Sequence, residues 1–393
     1  MKKSLFAVAA LSAIAGAAQA QSSVTVYGIV DAGYMGSNQK LAGAAATTMQ
    51  LQQTNSSFNS SAEQTSRIGF KGVEDLGGGM SAFFTAETSL TPNQNNMSSL
   101  NNRQSFVGLK KNGVGQFAFG TQYTTIFNAA ALTDPGQLNN VSGNVVYAVA
   151  PVGGVGYAGA TQQTSTTGYT DAFATRAANQ LSVASDTFAG FQLNGMYTLN
   201  NQNNTQLSSS SGGSNNFSGW GLGANYTWNK LFVTANYQSL KSATSTYASL
   251  TSPAPAIWGG ATYTGSQTQD NQSYFAATYD FGILKAYAQY VGRKATDTVN
   301  SNYYAKRTAQ QLGVRSYITP TIEAWASVGN GKNTIFGLSN PSASFTGYQL
   351  GSNYYLSKRT NLYAIYGSTQ ASASTASTAY SANNYALGVR HTF

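Results

Sequence analysis

The sequence predicts an all-β chain folded as a transmembrane antiparallel β-barrel of about sixteen strands, with a constriction loop after strand five. Three observations lead there. Apolar and polar residues alternate with period two along much of the chain. Only 8% of its 393 residues are charged, and after the first twenty no apolar run is long enough for a membrane-spanning helix. A soluble sheet protein alternates too, but its solvent face would bring the charged fraction closer to the usual value of roughly 25%. Alternation averages hydropathy away, so barrel strands escape a hydropathy scan.

The elements follow in chain order. Lys2 and Lys3, the apolar stretch from Leu5 to Ala15 and the small-residue site Ala18-Gln19-Ala20 have the three parts of a secretory signal peptide. The expected organisation is a signal over 1–20 and a barrel over 21–393. Removing the two lysines leaves 19 basic against 12 acidic residues, a charge of +7. The positive excess is dispersed, with no basic block interleaved with aromatics, which argues against nucleic acid as a partner and favours anionic solutes or lipopolysaccharide. The chain has no cysteine, so a disulfide framework and thiolate metal sites are excluded, and no metal or cofactor is expected.

Alternation is clearest in the middle and at the end. Trp220, Leu222, Ala224, Tyr226 and Trp228 share one face. Leu231, Val233, Ala235 and Tyr237 follow across a turn at Asn229-Lys230. Leu284 to Tyr290 and Ile322 to Val328 repeat the pattern, and Tyr385, Leu387, Val389 and Phe393 close it as a final barrel strand with a terminal aromatic. Short turns are expected near Asp75–Gly79, Asn112–Gly115, Ser185–Gly190, Asn229–Lys230, Phe281–Ile283, Thr319–Pro320 and Ser357–Arg359. Seven short turns, with the ends pairing, give about sixteen strands. The long external loops are expected over 36–62, 90–100, 124–171, 200–216, 241–270, 293–306, 330–343 and 370–381. The third, much the longest, is the candidate to fold into the aqueous channel that a barrel of this size leaves.

Arg67, Arg103 and Arg176 fall on strands two, four and six, each about seven to nine residues before a short turn, which puts all three near mid-height at about 20 Å from the periplasmic rim. Parity turns Arg67 and Arg176 inward, because Ile68, Phe70, Leu181 and Val183 take the lipid face. Arg103 shares parity with Val107 and Leu109, but an arginine at mid-membrane costs about 2–4 kcal/mol on the lipid face, which favours the lumen for it as well. Glu87 reaches the same height between Arg67 and Arg103. These four residues either tune ion passage or merely satisfy a polar lumen with ion pairs, and in a pore the two roles overlap. Arg315 and Lys285 have inward parity nearer the periplasmic end and read as vestibule charges. His391, the only histidine, shares the face of Val389 and Phe393. A barrel enzyme needs a nucleophile with a base within reach, so an enzyme is not expected. Glycines 219, 221 and 223 lie in a strand with no helix after it, so a phosphate cradle is not expected either.

The stretches Ser22–Asp31, Ser66–Met80, Arg103–Lys110, Tyr355–Thr360 and Gly388–Phe393 together resemble the general diffusion porins of Gram-negative bacteria, the betaproteobacterial branch especially. The resemblance implies a sixteen-stranded barrel in the outer membrane, a homotrimer, and passive diffusion of small hydrophilic solutes through an eyelet of wall arginines and the third loop. It adds Asp134, in Asp134-Pro135-Gly136, as the nearest thing to the acidic loop element of enteric relatives. It also implies that Tyr385, Leu387, Val389 and Phe393 carry the pattern read by the barrel-assembly machinery. Thr121 stands where the family often has arginine. With Arg67, Arg103 and Arg176 facing Glu87 and Asp134, the expected pore is weakly anion-selective and passes small anionic or neutral solutes. The other function weighed is an adhesin or receptor acting through the long loops.

Overall fold

The computed structural model describes residues 23–41, 51–94, 102–148, 172–204, 213–246, 267–298, 300–337, 342–373 and 379–393. The expected signal peptide, residues 149–171 of the third loop and parts of the other long loops lie outside them. The strands are β1 (Ser23–Leu41), β2 (Leu51–Ser60), β3 (Arg67–Gly77), β4 (Met80–Ser89), β5 (Asn102–Lys111) and β6 (Gly115–Tyr123), then a helix α1 (Thr125–Thr133). They continue as β7 (Arg176–Ser185), β8 (Phe191–Asn204), β9 (Gly213–Trp228), β10 (Leu231–Thr246), β11 (Gln267–Asp280) and β12 (Lys285–Asp297). The last five are β13 (Tyr304–Thr319), β14 (Ile322–Phe336), β15 (Ser342–Tyr355), β16 (Thr360–Ala373) and β17 (Tyr380–Thr392).

Neighbouring segments pair antiparallel, and β17 pairs with β1 from Ile29↔Thr392 to Leu41↔Tyr380, so the sheet closes. Both β2 and β3 lie antiparallel to the same side of β1, β2 against Ala32–Leu41 and β3 against Ser23–Ile29. They are two halves of one interrupted strand, which makes sixteen strands in all. Closure matters because an open edge in hydrocarbon would leave backbone groups unsatisfied at several kcal/mol each. The interruption at 61–66 is held by Asp31, fully buried, whose carboxylate accepts from the backbone N–H groups of Glu63 and Gln64 and from the Tyr363 hydroxyl.

All seven expected short turns are present. The first external loop differs, because residues 36–41 and 51–60, read as loop, are strand. The loops expected over 200–216, 241–270, 293–306, 330–343 and 370–381 likewise lose residues to strands at their ends. Above the bilayer a strand faces water on its outer side, so its ladder continues while apolar alternation stops.

The barrel is apolar on its outside. Leu222, Leu312 and Val328 are exposed there, while Gln238, Gln272 and Gln349, whose parity is inward, are buried. Outward aromatics form two rows. Trp220–Tyr237 and Phe275–Tyr290 lie toward the long-loop end, and Phe191–Tyr226 and Tyr279–Phe281 toward the short turns. Such paired belts mark the two membrane interfaces.

Candidate functional site

The third loop leaves β6 at Thr124, whose hydroxyl caps α1 by accepting from Phe127 N–H. It then crosses the lumen. Ile126, Ala129 and Ala130 pack with Tyr274, Ala276 and Val291 of the far wall, and the Thr133 hydroxyl bonds Tyr274 Oη at 2.5 Å. Beyond the helix the chain follows that wall. Arg315 Nη1 donates to Pro135 O (2.7 Å), Gln311 Nε2 to Asp134 (3.0 Å), Arg307 Nη2 to Val145 O (2.5 Å), and Gln349 Nε2 to Val141 O (2.6 Å). Gly347 and Gly367 make the seat: a Cβ on either would run into Gly143 O or Ser142 O. Asn140 ties the far end to the strand interruption through its N–H to Ala62 O and its side chain to Ser61 O. The loop expected to fold inward does so, over its described part.

On the wall facing the loop, Arg67, Glu87 and Arg103 meet. Arg103 Nε donates to Glu87 Oε1 at 2.6 Å, Arg67 Nη1 lies 3.9 Å from the same oxygen, and Tyr27 Oη donates to Oε2 at 3.1 Å. Arg103 points inward because of a β-bulge: Glu87 pairs with Gln104 and Thr88 with Asn102, so Arg103 is the extra residue. Parity broken at the bulge explains how Arg103 faces the lumen while Val107, an even number of residues on, faces lipid.

Arg103 Nη2 also donates to Tyr123 Oη (2.7 Å), and the Arg176 guanidinium lies over the Tyr123 ring at 5.6 Å. Tyr123 in turn stacks on Phe127 of α1, centroids 4.3 Å apart. Tyr123 therefore joins the arginine wall to the loop. Among the described residues no carboxylate lies within ion-pair distance of Arg176. The sequence reading missed Tyr27 and Tyr123. Tyr123 was visible as the end of Thr121-Gln122-Tyr123, at the entry to the loop.

Asp134 corrects one expectation. Only 3% exposed, its carboxylate accepts from Leu138 N–H, Asn144 Nδ2 and Gln311 Nε2, so it fixes the loop from within instead of presenting a free charge to the channel. Arg315 corrects another. It is clamped by Glu323 through two bonds of 2.5 and 2.6 Å and holds Pro135 O, so it is a loop anchor and not an open vestibule charge. Lys285 has its Nζ over the Tyr287 ring at 5.2 Å. His391 is exposed, with Nδ1 2.9 Å from Thr360 Oγ1. Two further pairs that the sequence did not single out lie inside: Arg293 with Asp270 (2.7 Å) and Arg390 with Glu63 (3.5 Å). Below the arginines, between β4–β10 and α1, is a cavity of about 490 Å³ whose lining includes Gln104, Gln122, Gln180, Asn194 and Asn236.

A closed antiparallel barrel with aromatic belts outside, a polar lumen and a loop folded into it defines a protein of the outer membrane. The family model of the Gram-negative porins matches residues 7–374, and the chain belongs to that family. An outer membrane porin protein of Bordetella pertussis is 39% identical over 129 residues, 31% of this chain and 34% of that protein. Outer membrane porin protein 32 of Delftia acidovorans is 42% identical over 113 residues, 28% of this chain and 29% of that protein. These matches thus span about a third of the length of the curated relatives. Among solved structures, an anion-selective porin from Comamonas acidovorans superposes with a TM-score of 0.64 at 21% identity, covering 95% of this chain and all of that one, a likeness of fold.

Proposed function

We propose that the protein is a passive channel for small hydrophilic solutes and ions, weakly selective for anions. The observation that carries this is the imbalance across the lumen. Arg67, Arg103 and Arg176 stand on one wall with Glu87 as the carboxylate among them, while the opposing loop's Asp134 is enclosed by amide and backbone donors. A unit charge about 4 Å from an ion in water-like dielectric contributes about 1 kcal/mol, so a net of one or two such charges gives selectivity of several-fold. Membership of the Gram-negative porin family supports the reading of a conduit.

The same proposal includes a homotrimer, as one neighbour of the fold, OmpT of Vibrio cholerae, is described in a trimer form. It also includes export by the segment 1–20 and assembly through Tyr385, Leu387, Val389 and Phe393. The mutual backbone bonds of Gly28 and Phe393 (3.1 Å each) support the last point, since they extend the seam between the first and final strands. Reconstitution of the purified protein in a planar bilayer tests the channel reading. Stepwise, long-lived conductance increments are expected. Folded protein that inserts without conducting would leave the adhesin reading in its place.

A further inference from the structure

The cavity below the arginine wall is lined unlike the wall itself. Among the described residues no charged side chain reaches it. Its polar groups are mostly amides, and four of them, Gln104, Gln116, Asn128 and Asn194, make no side-chain hydrogen bond within the described residues, so their donors and acceptors are open to a solute.

The same cavity has an apolar side. Phe83 and Phe106 share the inward faces of Glu87 on β4 and Gln104 on β5, and their rings meet edge to face with centroids 6.3 Å apart. Leu132 also lines the cavity and is 57% exposed. Exposed leucines on the outside of the barrel meet lipid, but Leu132 belongs to α1 inside the lumen, where its exposure is to water. Apolar surface left open inside a polar channel gains when an apolar part of a solute covers it.

Tyr123 joins this cavity to the arginines. It lines the cavity, and its Oη accepts from Arg103 Nη2, which leaves its own hydroxyl proton to donate. With a guanidinium behind it, that donor suits an anionic acceptor.

We propose that the cavity is a binding site for hydroxylated aromatic carboxylates, with the carboxylate at Tyr123 beneath the arginines, the ring against Phe83, Phe106 and Leu132, and the hydroxyls on the open amides. The proposal names a solute class for the channel reading and rests on it. An aliphatic acid would use the arginine end alone, and a neutral sugar the amides alone.

The test is calorimetric titration of the full-length protein in detergent with para-hydroxybenzoate, compared with gluconate, which keeps the charge and hydroxyls without the ring, and with para-hydroxybenzyl alcohol, which lacks the charge. Saturable millimolar binding of para-hydroxybenzoate is expected, about tenfold tighter than either comparison solute. Phe83→Ala/Phe106→Ala should weaken it about tenfold by removing the ring surface. Should that variant fold poorly, Leu132→Ser, at an exposed position, should still weaken binding by about threefold. In a planar bilayer para-hydroxybenzoate should reduce the open-channel current saturably over the same concentrations. Calorimetry reads binding without conduction, so the two readings fail separately: a protein that binds but does not conduct loses the channel reading. A protein that conducts yet binds gluconate as tightly as para-hydroxybenzoate, shows no saturable binding, or binds equally well after folded Phe83→Ala/Phe106→Ala or Leu132→Ser substitution, would overturn the proposal and leave the channel reading standing.

Discussion

The two walls of the lumen use arginine in opposite ways. On β12–β17 three inward arginines are matched one to one, Arg293 with Asp270, Arg315 with Glu323 and Arg390 with Glu63, and a fourth, Arg307, donates to the loop carbonyl of Val145 and lies over the Phe345 ring. Arg315 there spends a remaining donor on a loop carbonyl. On β3–β7 Arg67 and Arg103 share Glu87, Arg176 has no carboxylate within ion-pair distance among the described residues, and Tyr123 contacts both Arg103 and Arg176. A matched pair is a dipole whose field cancels within a short distance, and its job is mechanical. An unmatched cluster keeps a net charge, and its field reaches a passing ion. Residue type alone therefore does not say which arginines select ions; the count of nearby carboxylates does.

The largest effect should come from breaking a matched pair. Arg315→Ala leaves Glu323 uncompensated and frees Pro135 O, and should destabilise the loop seat by about 3–5 kcal/mol, as loss of one partner from a buried pair does. Lowered thermal stability on heat-modifiable gels, with larger open-channel noise, would show it; wild-type stability would mean the pair is not structural. Gln349→Ala should have a smaller mechanical effect, about 1–3 kcal/mol, since it leaves Val141 O, Ser142 O and the Asn139 side chain without their partner. Noise in the open-channel current, more than mean conductance, should rise.

Selectivity probes the other wall. Arg67→Gln/Arg103→Gln/Arg176→Gln should leave a folded barrel and move ion preference several-fold toward cations, because lumen substitutions tune selectivity without placing charge in lipid. The comparison sharpens when a matched pair is removed as a unit: Arg293→Gln/Asp270→Asn should leave the reversal potential where it was, while Arg176→Gln alone shifts it. Equal shifts from the two would erase the distinction between the walls. Glu87→Gln should give the smallest change, a modest rise in anion preference, with Arg103 still held by Tyr123.

How much of this was legible in the sequence depended on how local the cause was. The short turns are set by neighbouring residues, so all seven could be read. Arg67 and Glu87 could be placed at one height by counting from their turns. Arg103 could not be oriented by parity, since a bulge is one residue of slippage against a partner strand that the counting does not see. The interruption at 61–66 was invisible for the same reason: Asp31, thirty residues earlier, supplies the bonds that replace the ladder. Asp134 was found as a residue but given the wrong task, because its enclosure depends on Gln311, 177 positions away. Glu323 as the partner of Arg315 was within reach, as the two flank the Thr319-Pro320 turn on one face.

The most direct test of the unmatched arginine wall is the zero-current potential of the wild-type channel across a tenfold KCl gradient centred near 0.1 M, repeated near 1 M. The account predicts a potential of anion-preferring sign at low salt, corresponding to several-fold selectivity, that shrinks at molar salt as the Debye length falls from about 10 Å to about 3 Å. A cation-preferring sign at low salt, or a preference indifferent to salt, would contradict it.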